Sequence, residues 1–274
     1  KLIAVELAPP FGADDKKLLE AAHMLKGLGV DVLTFPDSPS GRTRIDSVLM
    51  AQKVKNVTGF DVMPHICCRD KNAIAMRSTF LGASINGINN FLIITGDPIP
   101  VMARQVVKSV FNFDSVGLMR IADEMNSEAL KDSPLTYGGA INQSRRRIES
   151  EIKRVQKKME AGAEFFLTQP VFTAEDAERL RRVKEETGAR ILCGIMPLVS
   201  RKNALFMKNE ISGVNVTDEV IERYPENAGR EEGENVGVEL AKEMIAATRD
   251  FADGYYFSFP FNRTYLLKRI IQEV

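Results

Sequence analysis

Short apolar runs alternate along the chain with longer segments in which apolar residues recur every three or four positions. The short runs predict β-strands, and the longer segments predict helices with one buried face. Glycine and proline residues typical of turns separate the two kinds of segment. Eight strands are predicted, at 2–8, 30–35, 61–67, 90–95, 136–142, 164–169, 190–196 and 254–259.

Helices are predicted between these strands. They are expected at 14–27, at 44–57, at 72–84, in a segment that ends near 125, over the charged stretch 145–158, and from 173 onward. Thr173, followed three positions later by Asp176, imitates a capping box at the start of the last of these. The stretch 200–252 predicts two or three further helices with a polar break at 225–234, and a closing helix is expected from Asn262.

This alternation of strands and helices predicts a (β/α)₈ TIM barrel with extra helices before the last strand, in a single domain over 1–274. A doubly wound parallel sheet is the alternative, because a sequence indicates the type of an element better than the topology. Since a strand is predicted to begin next to residue 1, we expect the chain to be a trimmed protein or a piece of a longer polypeptide.

Polar residues that a hydrophobic core would not require lie at or near the carboxyl ends of several predicted strands. These residues are Glu6, Thr34, His65, Asp97, Asn142 and Gln169. In a barrel, the carboxyl ends of all strands meet at one face, which is where barrel enzymes carry their active sites. The polar residues therefore predict one candidate site.

Composition excludes several classes of function. Lys plus Arg and Asp plus Glu both number 37, so the chain lacks the basic excess of a nucleic-acid-binding protein. Three cysteines are too few for a disulfide scaffold and indicate a reducing, cytoplasmic setting, and the apolar runs are too short to span a membrane. Two histidines argue against a His-rich metal centre, so no metal is expected. The predicted strand ends carry no lysine for a Schiff base, and no serine lies in a nucleophile elbow.

Two carboxylates are the sharpest candidates. Glu6 lies among apolar neighbours, where burial would raise its pKa and suit it to proton donation, although an edge carboxylate facing water is the alternative. Asp97 lies in a Gly-Asp-Pro sequence, which by itself indicates a turn. If the barrel closes, both carboxylates face one site and can divide proton transfer and charge stabilisation.

Other candidates fit a large polar ligand. Gln169 can donate and accept hydrogen bonds at a pterin or flavin edge, and Phe172 offers a face for stacking. Near the last strand, Phe259, Phe261 and Arg263 form an aromatic wall with one cation, although core packing is the alternative for the aromatic rings and is favoured for Phe259. The basic stretch 145–158 indicates either a solvated helix face or a diphosphate contact, and the GxGxxG fingerprint is absent.

Taken together, these motifs resemble the 5,10-methylenetetrahydrofolate reductase family. The matching motifs are Glu6 followed by Pro9-Pro10, Pro64-His65, Thr95-Gly96-Asp97, Ala161 to Ala163, Thr168-Gln169, Gly194 to Pro197 and Asn262-Arg263. Their order covers nearly the whole chain. The stretches 38–43 and 138–142 resemble the reductase half of bifunctional proteins in which a homocysteine methyltransferase precedes the reductase. This resemblance implies that the domain is the carboxyl-terminal part of a longer polypeptide.

The resemblance implies a barrel that binds FAD and reduces methylenetetrahydrofolate to 5-methyltetrahydrofolate with hydride from NAD(P)H, in one-carbon metabolism and methionine biosynthesis. It implies that Glu6 is the general acid, that Asp97 tunes charge beside flavin and pterin, that Gln169 bonds the pterin and that Arg263 holds the folate. The flavin contacts it implies are Thr34, His65, Gly96, Asp97, Asn142, Glu151, Arg154, Lys157 and Lys158. A homo-oligomer and a fused or associated methyltransferase are expected as partners.

The chain departs from the family pattern at two places. Many members have Arg-Gly-Asp where this chain has Thr95-Gly96-Asp97, and Tyr-Pro-x-x-His where it has the sequence 138–142. Both departures affect expected flavin contacts. Two alternatives therefore stay open: a flavin- or folate-binding subunit that depends on a partner for electrons or methyl transfer, and a non-redox barrel lyase or isomerase.

Overall fold

All eight strands pair in parallel and in chain order in a computed structural model, which describes residues 1–211 and 213–274. The strands are β1 (Leu2–Glu6), β2 (Val32–Phe35), β3 (Asp61–Cys67), β4 (Asn90–Ile94), β5 (Thr136–Ile141), β6 (Phe165–Pro170), β7 (Ile191–Ile195) and β8 (Gly254–Phe257). The last strand pairs with the first and closes the sheet. The predicted (β/α)₈ barrel is confirmed, and the doubly wound alternative is wrong.

Helices connect the strands on the outside. They are α1 (Lys16–Leu25), α2 (Ser47–Thr58), α3 (Ala73–Ile85), α4 (Ser115–Ser127), α5 (Ile148–Glu160), α6 (Ala174–Thr187), α7 (Arg201–Glu210), α8 (Asp218–Glu222), α9 (Arg230–Thr248) and α10 (Leu267–Ile270). The helices α7, α8 and α9 lie between β7 and β8, as predicted. No helix in the described parts of the chain is both long enough and apolar enough to cross a bilayer.

Local chemistry moves several boundaries from their predicted positions. The helix α2 begins at Ser47 rather than near 44, because the Asp46 carboxylate accepts the backbone N–H groups of Val48 and Leu49. The polar break before α9 ends at Arg230 rather than at 234. The continuous closing helix from Asn262 is wrong: Phe261 and Asn262 have φ of 58° and 55°, so regular helix forms only at α10.

Residues two apart on a strand point to the same side of the sheet, and this parity fills the barrel. The interior is packed by Ala4, Met63, Leu92, Leu167 and Leu192. Continuing the same parity toward the carboxyl ends brings Glu6, His65 and Gln169 to the mouth. The strand positions of these polar residues therefore decide that they face one space.

A second core cluster lies beside the mouth. It is formed by Phe172, Leu198, Ala204, Met207, Val216, Val220, Ile221, Tyr224 and Leu240. This cluster packs α7 and α8 against the ends of β6 and β7. The extra helices therefore form one side of the mouth of the barrel.

Candidate functional site

A cavity of about 400 Å³ opens at the carboxyl ends of the strands. Five of the predicted site residues line it, namely Glu6, His65, Gly96, Asp97 and Gln169. Both candidate carboxylates therefore face the same space, as the barrel hypothesis required. Apolar side chains, among them Leu167 and Met207, complete the lining and would pack against a flat ring.

Glu6 ends β1 with its side chain partly buried in the cavity wall. Burial raises the pKa of the carboxyl, while a hydrogen bond from Tyr256 and the nearby charge of Arg44 lower it less strongly. The hydroxyl of Tyr256 donates to Oε2 of Glu6. The Arg44 guanidinium is held by Pro9, whose carbonyl oxygen lies 2.6 Å from Nη1. The arrangement favours a protonated acid that faces the cavity.

His65 is 5% exposed and contributes a neutral imidazole. Burial lowers its pKa to about 3, so the ring stays uncharged at physiological pH. Its Nε2 is buried without a hydrogen-bond partner in residues 1–211 and 213–274. Its backbone oxygen accepts a hydrogen bond from Oγ of Ser47 at 2.7 Å, which ties β3 to α2. A buried, unsatisfied imidazole on a cavity wall is suited to bond a ligand.

The turn that carries Asp97 is fixed by contacts with neighbouring residues. Gly96 has φ of 93°, and a Cβ at this position would lie 2.8 Å from Cβ of Cys67, so glycine is required. Oδ2 of Asp97 accepts the backbone N–H of Ser40 at 2.6 Å. The buried Arg69 donates to the Asp97 carbonyl at 3.2 Å and joins this turn to the loop after β2.

Asp37, Cys67 and Asp70 place possible metal-ligand atoms within 4.8 Å of one another. The Asp70 carboxylate, however, already accepts two hydrogen bonds from Arg69, at 2.8 and 2.6 Å. Burial, with the nearby charge of Asp37, raises the pKa of the Cys67 thiol to about 12, so it stays protonated. Burial also raises the pKa of Asp37, which accepts the Cys67 N–H at 3.1 Å. The group is a hydrogen-bonded support for the loops rather than a set of free ligands.

A second polar group lies between β5 and α5. The buried Glu151 accepts the Asn142 N–H at 3.0 Å and pairs with Arg145 at 3.0 Å and Arg154 at 3.6 Å. Lys158 is also buried; burial lowers its pKa to about 8, and its ammonium donates to the Ala140 carbonyl. Asn142, Glu151 and Arg154 thus form one network near Lys158, and all four residues lie outside the described cavity lining.

Two further predicted flavin contacts, Lys157 and Thr34, lie apart from this group of residues. Lys157 is exposed on the outer face of α5, whereas Thr34 is fully buried in β2, with an Oγ1 that has no hydrogen-bond partner in the described residues. Neither belongs to the described cavity lining. Their contacts to a flavin stay predictions.

The predicted folate contacts lie partly inside and partly outside the cavity lining. Gln169 lines the cavity, but Phe172 is 4% exposed in the second core cluster, so its ring does not offer a free stacking face. Arg263 lies outside the described lining and pairs with Glu234 at 2.8 Å. Phe259 is buried and stacks on Phe257, consistent with core packing.

Sequence reasoning missed Asp37, Arg69 and Tyr256. Tyr256 could have been found from alternation along β8, because its neighbours Tyr255 and Phe257 pack in the core outside the sheet and Tyr256 therefore points inward. Asp37 and Arg69 lie in loops, where no periodic pattern fixes the direction of a side chain. Their positions follow from the closure of the barrel.

Comparison with known proteins points to one family. The model of the methylenetetrahydrofolate reductase family matches residues 1–272. The 5,10-methylenetetrahydrofolate reductase of Buchnera aphidicola is 26% identical over 197 residues, covering 70% of this chain and 64% of that protein. The Salmonella typhimurium enzyme is 25% identical over 208 residues, covering 74% and 66%. The matched part thus spans just under two thirds of the length of these relatives.

Solved structures support the fold. An uncharacterized protein from Clostridium thermocellum, which binds two copies of 5-methyl-5,6,7,8-tetrahydrofolic acid, superposes with a TM-score of 0.71 at 17% identity, covering 99% of this chain and 93% of that one. A 2,3-dimethylmalate lyase superposes with a TM-score of 0.54 at 15% identity, covering 100% and 79%. The lyase shares the barrel, so the fold alone does not decide the chemistry. The match over residues 1–272 does decide the family: the chain belongs to the methylenetetrahydrofolate reductase family.

Proposed function

We propose that this protein reduces 5,10-methylenetetrahydrofolate to 5-methyltetrahydrofolate, with FAD as cofactor and NAD(P)H as the source of hydride. The observation that carries the proposal is a partly buried acid of raised pKa, Glu6, on the wall of the same cavity as Asp97 and Gln169. Membership of the family supports the reaction class. The Clostridium thermocellum protein of the same fold, which binds a reduced folate, supports a folate site in this barrel.

Glu6 is the proton donor in this proposal. Reduction of the one-carbon bridge requires the five-membered ring of the folate to open, which places a proton on the departing nitrogen. Because burial raises its pKa, the Glu6 carboxyl holds a proton at a higher pH than an exposed glutamate does. Donation of that proton leaves a carboxylate that Tyr256 and Arg44 stabilise.

Gln169 and Asp97 orient the pterin. The amide of Gln169 can donate to a carbonyl oxygen and accept from a ring N–H at once, as the pyrimidine edge requires. Asp97 lies at the exposed side of the cavity, where a carboxylate attracts N–H groups and stabilises positive charge that develops on the opening ring. Its position is kept by Ser40 and Arg69.

The lining fits the ring end of a flavin. The unsatisfied Nε2 of His65 offers a hydrogen bond, and Gly96 lies in the lining on a turn that packs against Cys67. The residues that would hold the rest of FAD are Thr34, Asn142, Glu151, Arg154, Lys157 and Lys158. When bound, FAD would supply the hydride-transfer chemistry between reduced nicotinamide and the folate, and these two substrates would use the site in turn.

The test begins with the visible absorption spectrum of the purified protein with FAD, before and after addition of NADH or NADPH. Loss of the flavin band, followed by its return when methylenetetrahydrofolate is added, is the expected result. Glu6→Gln should keep FAD and its bleaching but lose folate reduction by about 10²–10⁴-fold, the usual contribution of a general acid. Glu164→Gln, the same change at the opposite opening of the barrel, is the matched control and should keep full activity.

A protein that takes up no FAD and reduces no folate would refute the proposal, and full activity of Glu6→Gln would refute the role of Glu6.

A partner-dependent subunit is the second candidate. The connection after β4 exposes Val101, Met102 and Val106 by 71%, 92% and 86%, which is the kind of apolar surface that proteins use to bind one another. Bound FAD that NADH and NADPH both fail to bleach would favour this candidate.

A further inference from the structure

Tyr256 is the direct neighbour of Glu6 in the barrel interior. It lies on β8, which pairs with β1 so that Tyr256 is in register with Ala4, two residues before Glu6. Both side chains point inward and line the cavity, and the Tyr256 hydroxyl donates to Oε2 of Glu6. The contact joins residues at the two ends of the chain, so it exists only because the barrel closes.

The direction of this hydrogen bond is fixed. Burial, together with the negative charge that Glu6 can carry, raises the pKa of Tyr256 well above its usual value of 10, so the phenol keeps its proton. A phenol that keeps its proton and faces a carboxyl oxygen acts as donor. In a neutral carboxyl, the oxygen that accepts such a bond is the carbonyl oxygen. The acid proton of Glu6 is thereby left on Oε1.

We propose that Tyr256 is a positioning residue that places the transferable proton of Glu6 on Oε1 and holds the carboxylate once that proton has left. The inference rests on the proposed function of Glu6 as general acid. Only this proton is transferred in the step: the O–H bond of Glu6 breaks, an N–H bond forms on the folate, and Tyr256 keeps its own proton throughout.

Other titratable groups lie around Glu6 and could also affect its titration. Arg44 acts on Glu6 from the segment before α2, and the ring of His65 on β3 lies 6.5 Å from that of Tyr256. The remaining acids that share the cavity lining are Asp37 and Asp97. His65 stays neutral, so the substitution at position 256 should change the titration of Glu6 with little contribution from the other groups.

The experiment compares Tyr256→Phe with Tyr255→Phe. The control removes a hydroxyl from the neighbouring residue, which points to the outer side of the sheet and donates to the Ile245 carbonyl at 3.0 Å. In Tyr256→Phe, the pH at which kcat falls on the alkaline side should rise by about one unit, because the carboxylate has lost a donor. KM should change little, and Tyr255→Phe should leave the pH profile in place.

A second measurement does not depend on turnover. The carboxyl of Glu6 is titrated by NMR in protein labelled with ¹³C in the glutamate carboxyls, its signal identified by its loss in Glu6→Gln. Tyr256→Phe should raise the midpoint by about one pH unit, and Tyr255→Phe should not. An unchanged or lowered midpoint, or an equal shift in the control, overturns the inference even in an active enzyme. A raised midpoint in a protein without reductase activity supports the pairing and refutes only the proposed function.

Discussion

Substitution of Gly96 by alanine tests how tightly the turn below the cavity is built. Two costs are expected. A φ of 93° is unfavourable for a residue with a side chain by about 1–3 kcal/mol, and the new methyl group would lie 2.8 Å from Cβ and 3.2 Å from Sγ of Cys67. Crowding of this kind in a packed region costs about 1–3 kcal/mol. The free energy of unfolding should therefore fall by roughly 2–6 kcal/mol.

Gly59→Ala is the matched control for this change. Gly59 has φ of 75°, and a Cβ there would meet nothing within 4 Å, so the control carries the backbone cost without the clash. Both substitutions reduce the entropy of the unfolded chain equally, and this contribution cancels in the comparison. The difference between the two variants isolates the contact with Cys67.

Urea unfolding followed by circular dichroism measures the two free energies. Gly96→Ala should lose at least about 1 kcal/mol more than Gly59→Ala, which corresponds to the lower limit for crowding. Because the turn also carries Asp97, Gly96→Ala should also weaken the proposed binding of folate. Equal losses in the two variants would show that the turn moves aside freely, and the view of Gly96 as a fixed support would be wrong.

Two further predictions concern the packing and charge of the outer shell. Phe80 is fully buried and packs edge-on against Phe91, with the ring centroids 5.1 Å apart. Phe80→Ala should therefore lower the free energy of urea unfolding by about 3–5 kcal/mol, whereas Leu81→Ala, at a half-exposed position, should lower it by well under half as much. Similar losses in the two variants would contradict this packing. Lys158 has a pKa of about 8 in the fold, below its usual 10.5, so its side chain binds more protons in the unfolded chain between these values, and its own contribution to stability should rise by roughly 3 kcal/mol across that range. The unfolding free energy of wild type minus that of Lys158→Met should therefore rise by this amount from pH 8 to 10.5, since the other titrating groups are common to both proteins, and a constant difference would show that Lys158 is not desolvated.

The eight strands and the barrel could be predicted from the chain, because a buried parallel strand needs a short apolar run and an amphipathic helix needs a longer periodic one. The same periodicity located Glu6, His65 and Gln169 at strand ends. Helix boundaries were less predictable. The start of α2 depends on one hydrogen-bonding side chain, Asp46, which no periodic pattern marks.

The sequence by itself determined which residues end the strands, and it therefore determined the mouth of the barrel and five residues that line its cavity. Tertiary structure alone decided that Phe172 is packed away in a core, that Arg69 supports the turn of Asp97, and that Tyr256 donates to Glu6. The physical reason is distance along the chain. Periodicity reports the surroundings of a residue within a few positions, whereas the bond between residues 6 and 256 forms only when the first and last strands meet.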